Sequence, residues 1–583
     1  MRVSGRLWLA SVLALGLVGG VSSCGEDESL EPVKSDEATG GAGGTGGSGG
    51  GGGAGGGGDA IAWAPCPVVT VGEGAGAECA EVQLPLDWRD PEGATIPVFV
   101  KRVVGAAASR RQLWLLAGGP GDAGASLDTV VDPILAGDPT LEIYIPDHRG
   151  VGRSSRLGCP QESPVDGSIA PEAWPDCIAA LEATWGERLA AFNVTQAAKD
   201  VGALIERTRA PGQEAHVFGV SYGTLWAQRY LQVFPEQATS VTLDSLCQSG
   251  LCSYFTYDYW HNEVGKRFME ACAADAFCAS KMGPDPWATL GDFLDALDAG
   301  ACPGLEALGV SRPLGKALAA SLLETFELRA LAPALAYRGL RCEPADVAAF
   351  EHLFALLTAP QGPPPPSALL HSTVLEMHVQ LSEMVEAAPP DVAEIEAVEE
   401  GAYFAFGRGS FLRGLYDLWP RYARDAYAGK YAPTEVPMLL LNGTLDPQTP
   451  LEFALEIAPN YTQPRQTFVA IDRAVHGSVL SSPTIAPPHT PCGLALWMSF
   501  TKDPGAPVDT SCVAEVMPLR FEGSAAMAQQ LLGTGDLWEN GAAASAAAGA
   551  SLASADAEAV RRAAEALRRT YQRARQRLAL TAD

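Results

Sequence analysis

The sequence predicts an α/β protein in which helices cover both faces of a mostly parallel sheet. Short, β-rich apolar runs alternate with helical stretches from Ala60 onward. The runs that resemble buried strands are 113–116, 142–145, 216–218, 241–243, 438–441 and 467–471. Apolar strands that are separated by helices are typical of parallel sheets buried on both faces. Hydrophobic residues make up 47% of the 583 positions, so the chain can bury a large core.

The stretch between the fourth and fifth of these runs has a different composition. Strand-like runs vanish there, and helical pieces rich in Ala, Leu and Glu alternate with proline clusters such as 363–366. Because strands return afterwards, we predict a helical insertion at 252–433 between two parts of the α/β core at 60–251 and 434–520. An Ala/Arg-rich helical tail at 521–583 follows.

The net charge argues against nucleic acid as a partner. Acidic residues outnumber basic ones by 69 to 40, which gives a formal net charge of −29. A surface of this sign repels phosphate backbones. We expect neither a metal nor another cofactor, and the oligomeric state stays open.

The N-terminus has the pattern of a secretory signal. Arg2 and Arg6 precede an apolar run at 7–21, which meets small residues. The run is too short to cross a bilayer comfortably, so we predict a signal peptide at 1–23 rather than a membrane span.

A lipid anchor is predicted directly after this signal. The four residues Val-Ser-Ser-Cys that end at Cys24 resemble the bacterial lipobox, in which the cysteine is lipidated. An acidic stretch and a glycine-rich stretch at 40–58 follow, and they predict a flexible tether over 24–59. We therefore expect an exported chain, anchored to the bacterial cell envelope at the outer membrane or the cell surface. Ordinary secretion with cleavage nearby is the alternative.

The twelve cysteines after Cys24 indicate disulfides. Their number is even, and no C-x-x-C pair suggests a metal site. Twelve cysteines allow on the order of ten thousand pairings, so the pairing of sequence neighbours is a hypothesis. The pairs are Cys66 with Cys79, Cys159 with Cys177, Cys247 with Cys252, Cys272 with Cys278, Cys302 with Cys342, and Cys492 with Cys512.

The segment around Ser221 predicts a nucleophile. An apolar run leads into Gly219-x-Ser221-x-Gly223, and a helix-forming stretch follows. In a strand–turn–helix of this kind the serine occupies a strained turn, and its hydroxyl is exposed above the sheet. A second G-x-S-x-G at 46–50 lies in the glycine-rich tether, where no strand precedes it, so we assign it no role.

A nucleophilic serine needs a base and a carboxylate that orients the base. The order serine, acid, histidine is fulfilled by Ser221, Asp446 and His476, since the acid and the histidine each follow a predicted strand. His476 would take the serine proton, and Asp446 would fix the tautomer of the imidazole. Asp244 also ends a predicted strand and is the alternative acid, and His489, in a proline-flanked loop, is the weaker alternative base.

The glycine-rich turn after the first predicted strand supplies donors for an oxyanion. Ala117-Gly118-Gly119-Pro120-Gly121 follows the run 113–116 directly. The backbone N–H groups of Gly119 and Tyr222 would make the usual two donors. A purely structural turn is compatible with the same residues.

Several motifs together resemble a known family. The segments Gly-Gly-Pro-Gly at 118–121, Asp-x-Arg-Gly-x-Gly-x-Ser at 147–154 and Gly-x-Ser-Tyr-Gly at 219–223 occur in order. They resemble the proline iminopeptidase and tripeptidyl aminopeptidase family of α/β hydrolases. The segments 66–88 and 442–450, with the late Cys492/Cys512 pair, are more similar to the tripeptidyl aminopeptidase branch with its TAP-like C-terminal region. The resemblance covers about 66–513.

The resemblance implies an α/β-hydrolase fold and an exported serine exopeptidase that removes short peptides, often tripeptides, from free N-termini. It also implies that the helical insertion is a cap that limits substrate length. Ala117 stands where the iminopeptidases usually have His, which weakens a strictly proline-specific interpretation, and the tail after about 535 has no counterpart. Buried acids of the cap would hold the substrate ammonium, with Asp258, Glu263 and Glu270 as candidates and none preferred.

Two other functions stay open. An esterase or another small-substrate hydrolase could use the same fold and triad. A non-catalytic surface binding lipoprotein is the second alternative, although the complete set of three catalytic residue types argues against it. Epoxide hydrolysis and dehalogenation are disfavoured, because those reactions on this fold use an aspartate at the turn.

The tail carries an amphipathic helical pattern. The stripe positions are Val560, Ala564, Leu567, Tyr571, Ala574 and Leu578, and arginines make the remaining surface basic. A helix that packs on the acidic body of its own chain is the favoured interpretation. Contact with anionic lipid or with another chain is the alternative.

Overall fold

The structure is a computed structural model, which describes residues 61–70, 75–106, 110–164, 167–359 and 370–540. It also describes the short helical pieces 560–561, 563–565 and 567–568. The predicted signal peptide, Cys24 and the tether lie outside the described residues.

A nine-stranded sheet runs through the described part of the chain. Its strands are β1 (Ala64–Cys66), β2 (Ala77–Pro85), β3 (Thr95–Val104), β4 (Arg111–Leu116), β5 (Leu141–Pro146), β6 (Ala215–Val220), β7 (Ser240–Asp244), β8 (Met438–Gly443) and β9 (Gln466–Ile471). They lie in the order β1-β2-β3-β5-β4-β6-β7-β8-β9. The neighbours from β5 to β9 pair in parallel, and β1 to β3 add antiparallel pairs at one edge. The predicted α/β class is confirmed.

All six predicted strands are present, whereas β1, β2 and β3 were not predicted. In β2 the buried Ala80, Val82 and Leu84 alternate with more exposed residues such as Glu81 and Gln83. This alternation is typical of an antiparallel strand with one exposed face, and it produces no continuous apolar run. A search for apolar runs alone therefore misses it.

Helices surround the sheet and fill the interval between β7 and β8. They are α1 (Val131–Gly137), α2 (Trp174–Trp185), α3 (Val194–Thr208), α4 (Tyr222–Val233), α5 (Tyr257–Ala274), α6 (Ala276–Met282), α7 (Pro286–Asp298), α8 (Pro303–Ala307), α9 (Arg312–Leu323), α10 (Leu331–Arg341), α11 (Pro344–Thr358), α12 (Thr373–Val379), α13 (Val392–Gly401), α14 (Gly409–Leu418), α15 (Leu451–Ile457), α16 (Cys492–Lys502) and α17 (Ala525–Leu532). Among the described residues, no helix is both long enough and apolar enough to cross a bilayer.

The sheet is buried on both faces because successive side chains of a strand point to opposite sides. Trp114 and Leu116 of β4 pack into one cluster with α3 and α4. Leu113 and Leu115 point the other way, into a second cluster with α1 and α16. Polar residues cannot alternate along such a strand, which explains the continuous apolar runs of the sequence.

The helices between β7 and β8 have a hydrophobic core of their own, which residues far downstream complete. Helices α5 to α11 share one cluster with Phe521, Leu531 and Trp538. Arg338 of α10 donates hydrogen bonds to the carbonyl oxygens of Leu537, Asp536 and Glu539. The downstream segment is therefore fixed to these helices by apolar and polar contacts together.

The described part of the amphipathic stripe packs on the same cluster. Val560, Ala564 and Leu567 are buried in it, which agrees with a helix docked on its own chain. Arg561 is exposed and pairs with Glu565. The other stripe positions, Tyr571, Ala574 and Leu578, lie outside the described residues.

Six disulfides link the cysteine pairs that the sequence predicts. They join Cys66 to Cys79, Cys159 to Cys177, Cys247 to Cys252, Cys272 to Cys278, Cys302 to Cys342, and Cys492 to Cys512. Disulfides in this number are typical of proteins exported from the cytoplasm.

Candidate active site

Ser221 occupies the sharp turn between β6 and α4. Its φ of 58° and ψ of −127° lie in a region that non-glycine residues rarely adopt. The turn needs its two glycines, because a Cβ on Gly219 would lie 2.3 Å from the Gly223 carbonyl oxygen. A Cβ on Gly223 would lie 2.3 Å from the Leu116 carbonyl oxygen. The sequence thus imposes the strained strand–turn–helix that exposes a serine at the sheet edge.

Asp446 and His476 meet on the loops after β8 and β9. The imidazole Nδ1 of His476 lies 2.9 Å from one carboxylate oxygen of Asp446 and 3.1 Å from the other. The Thr449 hydroxyl also donates to this carboxylate, at 2.8 Å. The hydrogen bond assigns the Nδ1 proton to the side of Asp446 and leaves Nε2 as the basic nitrogen.

The two groups shift each other's pKa. Burial alone would raise the pKa of the Asp446 carboxyl, but the His476 imidazole and the Thr449 donors hold that pKa below its ordinary value. Burial disfavours a charged imidazole, but the Asp446 carboxylate outweighs this and raises the pKa of His476. The arrangement therefore stabilises an imidazolium, the species that a general base becomes after it takes a proton.

Ser221 lies at the same sheet edge as this pair, since β6, β7, β8 and β9 are consecutive parallel strands. In this structure no hydrogen bond joins the Ser221 hydroxyl to the His476 imidazole within the described residues. Such bonds are often long before substrate binds. The structure thus brings Asp446 and His476 into contact and places Ser221 at the same edge without that contact.

Asp244, the alternative acid of the sequence analysis, binds the loop that carries His476. Its carboxylate accepts hydrogen bonds from the backbone N–H groups of Ser478 and Val479, at 3.0 and 2.9 Å. The neighbouring Ser245 hydroxyl accepts from the N–H of Gly477 at 2.9 Å. Burial raises the pKa of Asp244 to about 6. Asp244 therefore positions the histidine loop, a role for which the sequence carries no local signal.

The predicted oxyanion donors flank Ser221. Gly119 has a φ of 107° in the loop after β4, and Tyr222 is the first residue of α4. An N–H at a helix start has no partner within the helix, and within the described residues neither N–H donates a hydrogen bond. A Cβ on the adjacent Gly118 would lie 3.1 Å from the Ser221 Cβ, so the glycine loop closely approaches the serine.

The Asp-x-Arg-Gly motif supports Tyr222. The Tyr222 hydroxyl donates to Nε2 of His148 at 3.0 Å, and His148 Nδ1 donates to the Arg149 carbonyl oxygen at 2.7 Å. Burial lowers the pKa of His148 to about 3, so the ring is neutral and accepts this bond. Arg149 forms a buried ion pair with Asp200. The motif was visible in the sequence, but its hydrogen-bonded link to Tyr222, the residue after Ser221, was not.

One acid from the helices between β7 and β8 acts on the charge of His476. Glu324, after α9, accepts hydrogen bonds from the Tyr257 hydroxyl at 3.0 Å and from His261 Nε2 at 3.1 Å. Its carboxylate is close enough to His476 to add to the raised pKa of that imidazole, after the larger effects of burial and Asp446. The sequence analysis did not single out Glu324.

The three acids that the sequence suggested do not share this position. The Asp258 carboxylate is buried and accepts from the backbone N–H groups of Phe406 and Gly407. Glu263 is half-buried and Glu270 is exposed on α5. Asp258 thus has a structural role, and only long-range packing reveals Glu324.

Two family models match parts of this chain. Residues 114–266 match the family described as alpha/beta hydrolase fold, and residues 413–490 match the family described as TAP-like protein. The chain is an α/β hydrolase of the TAP-like branch.

Two curated relatives of this α/β hydrolase are tripeptidyl aminopeptidases, from Streptomyces lividans and Streptomyces coelicolor. Each is 27% identical over 190 residues, which is 29% of this chain. The match spans only 35% of the length of each relative.

Solved structures similar to the α/β hydrolase include a proline iminopeptidase-related protein from Thermus thermophilus. It is 16% identical with a TM-score of 0.29, over 73% of this chain and 96% of the other. A bromoperoxidase from Bacillus anthracis is 14% identical with a TM-score of 0.30, over 73% of this chain and all of the other, 100%.

A charged bridge connects the glycine loop of the α/β hydrolase to α12. His371 lies between two carboxylates, with Nδ1 at 3.0 Å from Asp122 and Nε2 at 3.2 Å from Glu376. The N–H of Ser372 donates to the Gly121 carbonyl oxygen at 2.9 Å. Burial opposes a charge on His371, but the two carboxylates raise its pKa to about 10. Burial likewise opposes the charge on Glu376, yet His371 lowers the pKa of Glu376 to about 2.

Removing this bridge should change stability in a pH-dependent way. The folded state raises the pKa of His371 from 6.5, so the stabilisation is complete below pH 6.5 and is lost as the pH rises towards 10. Glu376 stabilises the folded state above pH 4.5, the pKa of this carboxyl in the unfolded chain. This stabilisation is lost as the pH falls towards 2, its pKa in the folded state. We expect His371→Gln to lower the free energy of unfolding by about 1–3 kcal/mol at pH 6 and by much less at pH 9. Denaturant unfolding at both pH values measures this.

The exposed His352→Gln serves as the matched control and should show no such difference. A destabilisation of His371→Gln that is equal at pH 6 and pH 9 would contradict the bridge.

Proposed function

We propose that this α/β hydrolase is an exported serine exopeptidase that releases short peptides or single residues from the free N-termini of peptides. The main support for this proposal is the contact between Asp446 and His476. It lies at the sheet edge where Ser221 occupies its strained turn. The names of the two Streptomyces relatives support a peptidase. Because these matches are partial, the substrate is inferred from the site as well.

The proposed reaction follows the serine-hydrolase sequence of steps. His476 Nε2 takes the proton of the Ser221 hydroxyl while Oγ attacks the substrate carbonyl, and the Gly119 and Tyr222 N–H groups stabilise the oxyanion. The tetrahedral intermediate collapses as the imidazolium protonates the leaving amine, which leaves an acyl-enzyme on Ser221. Water, deprotonated by His476, then releases the acid product. One oxyanion donor typically contributes about 3–4 kcal/mol to transition-state stabilisation.

Glu324 is the acid that we propose for the substrate ammonium. It is half-buried beside the catalytic histidine, and its remaining acceptor capacity suits a charged N–H donor. An ammonium removed from water needs such a carboxylate. In this proposal Glu324 replaces Asp258, Glu263 and Glu270.

The chain organisation is part of the proposal. The helices at 252–433 would act as the cap over an α/β core at 60–251 and 434–520, with a tail at 521–583. The signal-like N-terminus and the six disulfides support export. Lipidation at Cys24 and a tether at 24–59 would hold the enzyme at the cell envelope.

Blocking the substrate amine tests this function. We expect unblocked mono-, di- or tripeptide anilides to be turned over with a kcat/KM roughly tenfold to hundredfold above that of their N-acetylated forms. This is the range for hydrogen bonds to charged groups. Glu324→Gln should remove most of this preference, while Glu270→Gln, on the exposed face of α5, should keep it. Initial rates on the paired substrates measure both effects.

Equal rates on free and acetylated peptides would refute the aminopeptidase. Faster turnover of simple esters than of any peptide would support the esterase, and failure of a fluorophosphonate to label the protein would support the binding protein.

A further inference from the structure

Arg408 is a cation beside the proposed active site that has no polar partner among the described residues. Its guanidinium lies over the rings of Tyr254 and Tyr257, at 4.6 and 4.7 Å from their centroids, and 5.8 Å from that of Phe406. Within the described part of the chain the Arg408 side chain makes no hydrogen bond and no ion pair, and its Nε is buried without an acceptor. The side chain is half-buried, so solvent reaches part of it.

This situation differs from that of the other buried arginines. Arg149, Arg229 and Arg338 each form an ion pair with a buried carboxylate, and the buried Arg329 donates to the carbonyl oxygen of Arg473. A guanidinium withdrawn from water without acceptors is unfavourable, so arginines of this kind are normally paired. Stacking on aromatic rings offsets only part of the loss.

The two carboxylates that act on the charge of Arg408, Asp258 and Glu376, are already engaged. The Asp258 carboxylate binds the N–H groups of Phe406 and Gly407. The Glu376 carboxylate accepts from the Tyr254 hydroxyl at 2.7 Å and binds His371. Neither lies within ion-pair distance of Arg408, so the edge of the guanidinium is left for an acceptor that the described chain does not provide.

Both tyrosines on which Arg408 stacks are linked by hydrogen bonds to the proposed catalytic groups. The Tyr257 hydroxyl donates to Glu324, the acid beside His476. The Tyr254 hydroxyl donates to Glu376, which reaches the glycine loop through His371 and Asp122. Arg408 therefore lies within a few side chains of both the proposed base and the proposed oxyanion loop.

We propose that Arg408 binds a carboxylate of the substrate. The guanidinium of Arg408 stacks on the tyrosine rings. The N–H groups in the plane of the guanidinium can therefore donate to both oxygens of one carboxylate. This inference rests on the proposed peptidase function. With Glu324 bound to the hydroxyl of Tyr257, the site suits peptides that carry an ammonium and a carboxylate. The carboxylate is either the C-terminus of a short peptide or an Asp or Glu side chain.

Two pairs of substrates test this assignment and distinguish the sources. The first pair is tetra-alanine with a free C-terminus and its C-terminal amide. The second pair consists of amidated tetra-alanines in which Glu or Gln stands at each position in turn. We expect a preference in kcat/KM of roughly tenfold to hundredfold for the carboxylate in at least one pair. Arg408→Gln should abolish the preference, and Arg408→Lys should retain only part of it.

Arg421→Gln is the matched control, because Arg421 also stacks on a ring, Tyr416 at 3.6 Å, but is exposed. It should keep the full preference. Wild-type enzyme without a carboxylate preference in either pair would overturn the assignment, and so would an Arg408→Gln variant that keeps the preference.

A binding measurement separates this inference from the function on which it rests. In the Ser221→Ala background, calorimetric titration with the same peptides needs no turnover. Peptides that are hydrolysed without any carboxylate preference would refute the role of Arg408 alone. Absence of hydrolysis would refute the peptidase. Tighter binding of the carboxylate peptides, lost on adding Arg408→Gln, would still support the subsite.

Discussion

Replacement of Ser221 by alanine is expected to reduce kcat about a million-fold and to leave the fold intact. A loss of this order follows removal of the nucleophile in serine hydrolases with an intact Asp–His pair. Alanine can occupy the strained turn because the serine Cβ is already accommodated there, and the Ser221 side chain makes no hydrogen bond within the described residues. Turnover of an unblocked peptide anilide and labelling by a fluorophosphonate measure the effect.

Two serine controls make this result specific. Ser155 also has a positive φ, 54°, so Ser155→Ala tests the backbone conformation without touching the site. Ser48 belongs to the second G-x-S-x-G in the glycine-rich segment, and Ser48→Ala should change nothing. Undiminished labelling of Ser221→Ala would show that another residue is the nucleophile.

Replacement of Asp446 by asparagine is expected to lower kcat about ten-thousand-fold. The asparagine would no longer stabilise the imidazolium, and it would favour the wrong tautomer of His476. The pH–rate profile should also change. A general base must be neutral, so kcat/KM rises with pH through the pKa of His476, which Asp446 raises. Without the carboxylate this pKa falls, and the acidic limb of the profile should move to lower pH.

Asp244→Asn is the informative comparison, because both carboxylates are buried near His476. The Asp244 carboxylate binds backbone N–H groups of the histidine loop, so its loss should lower the free energy of unfolding by about 1–3 kcal/mol. The loss of rate should be much smaller than for Asp446→Asn. If Asp244→Asn lowers kcat about ten-thousand-fold and Asp446→Asn lowers it only slightly, the roles of the two acids are exchanged.

The sequence allowed good prediction wherever the signal is local. The apolar runs of β4 to β9 reveal central strands, and the glycines around Ser221 reveal a turn that no other residue type fits. Asp446 and His476 could be proposed from chain order, because each follows a strand and parallel strands end at one edge. The same local spacing suggested the six disulfide pairs.

The contacts that the helices between β7 and β8 make near the site could not be predicted, because they join distant segments. Glu324 is one acid among many until the fold brings it near His476. Arg408 and His371 have no motif of their own, and their surroundings come from helices far apart in the chain. The half-exposed strand β2 shows the same limit, because its pattern resembles an amphipathic surface segment.

The packing of Phe521 and Trp538 against the helices before β8 bears on the order in which this protein can mature. Arg338 binds the carbonyl oxygen of Leu537, 199 positions later, and Phe277 packs edge-on against Trp538. Helices α5 to α11 are therefore synthesised long before their core can close. During synthesis these helices would expose apolar surface until the downstream segment is available to cover it. A truncation at residue 520 would leave them in that state permanently.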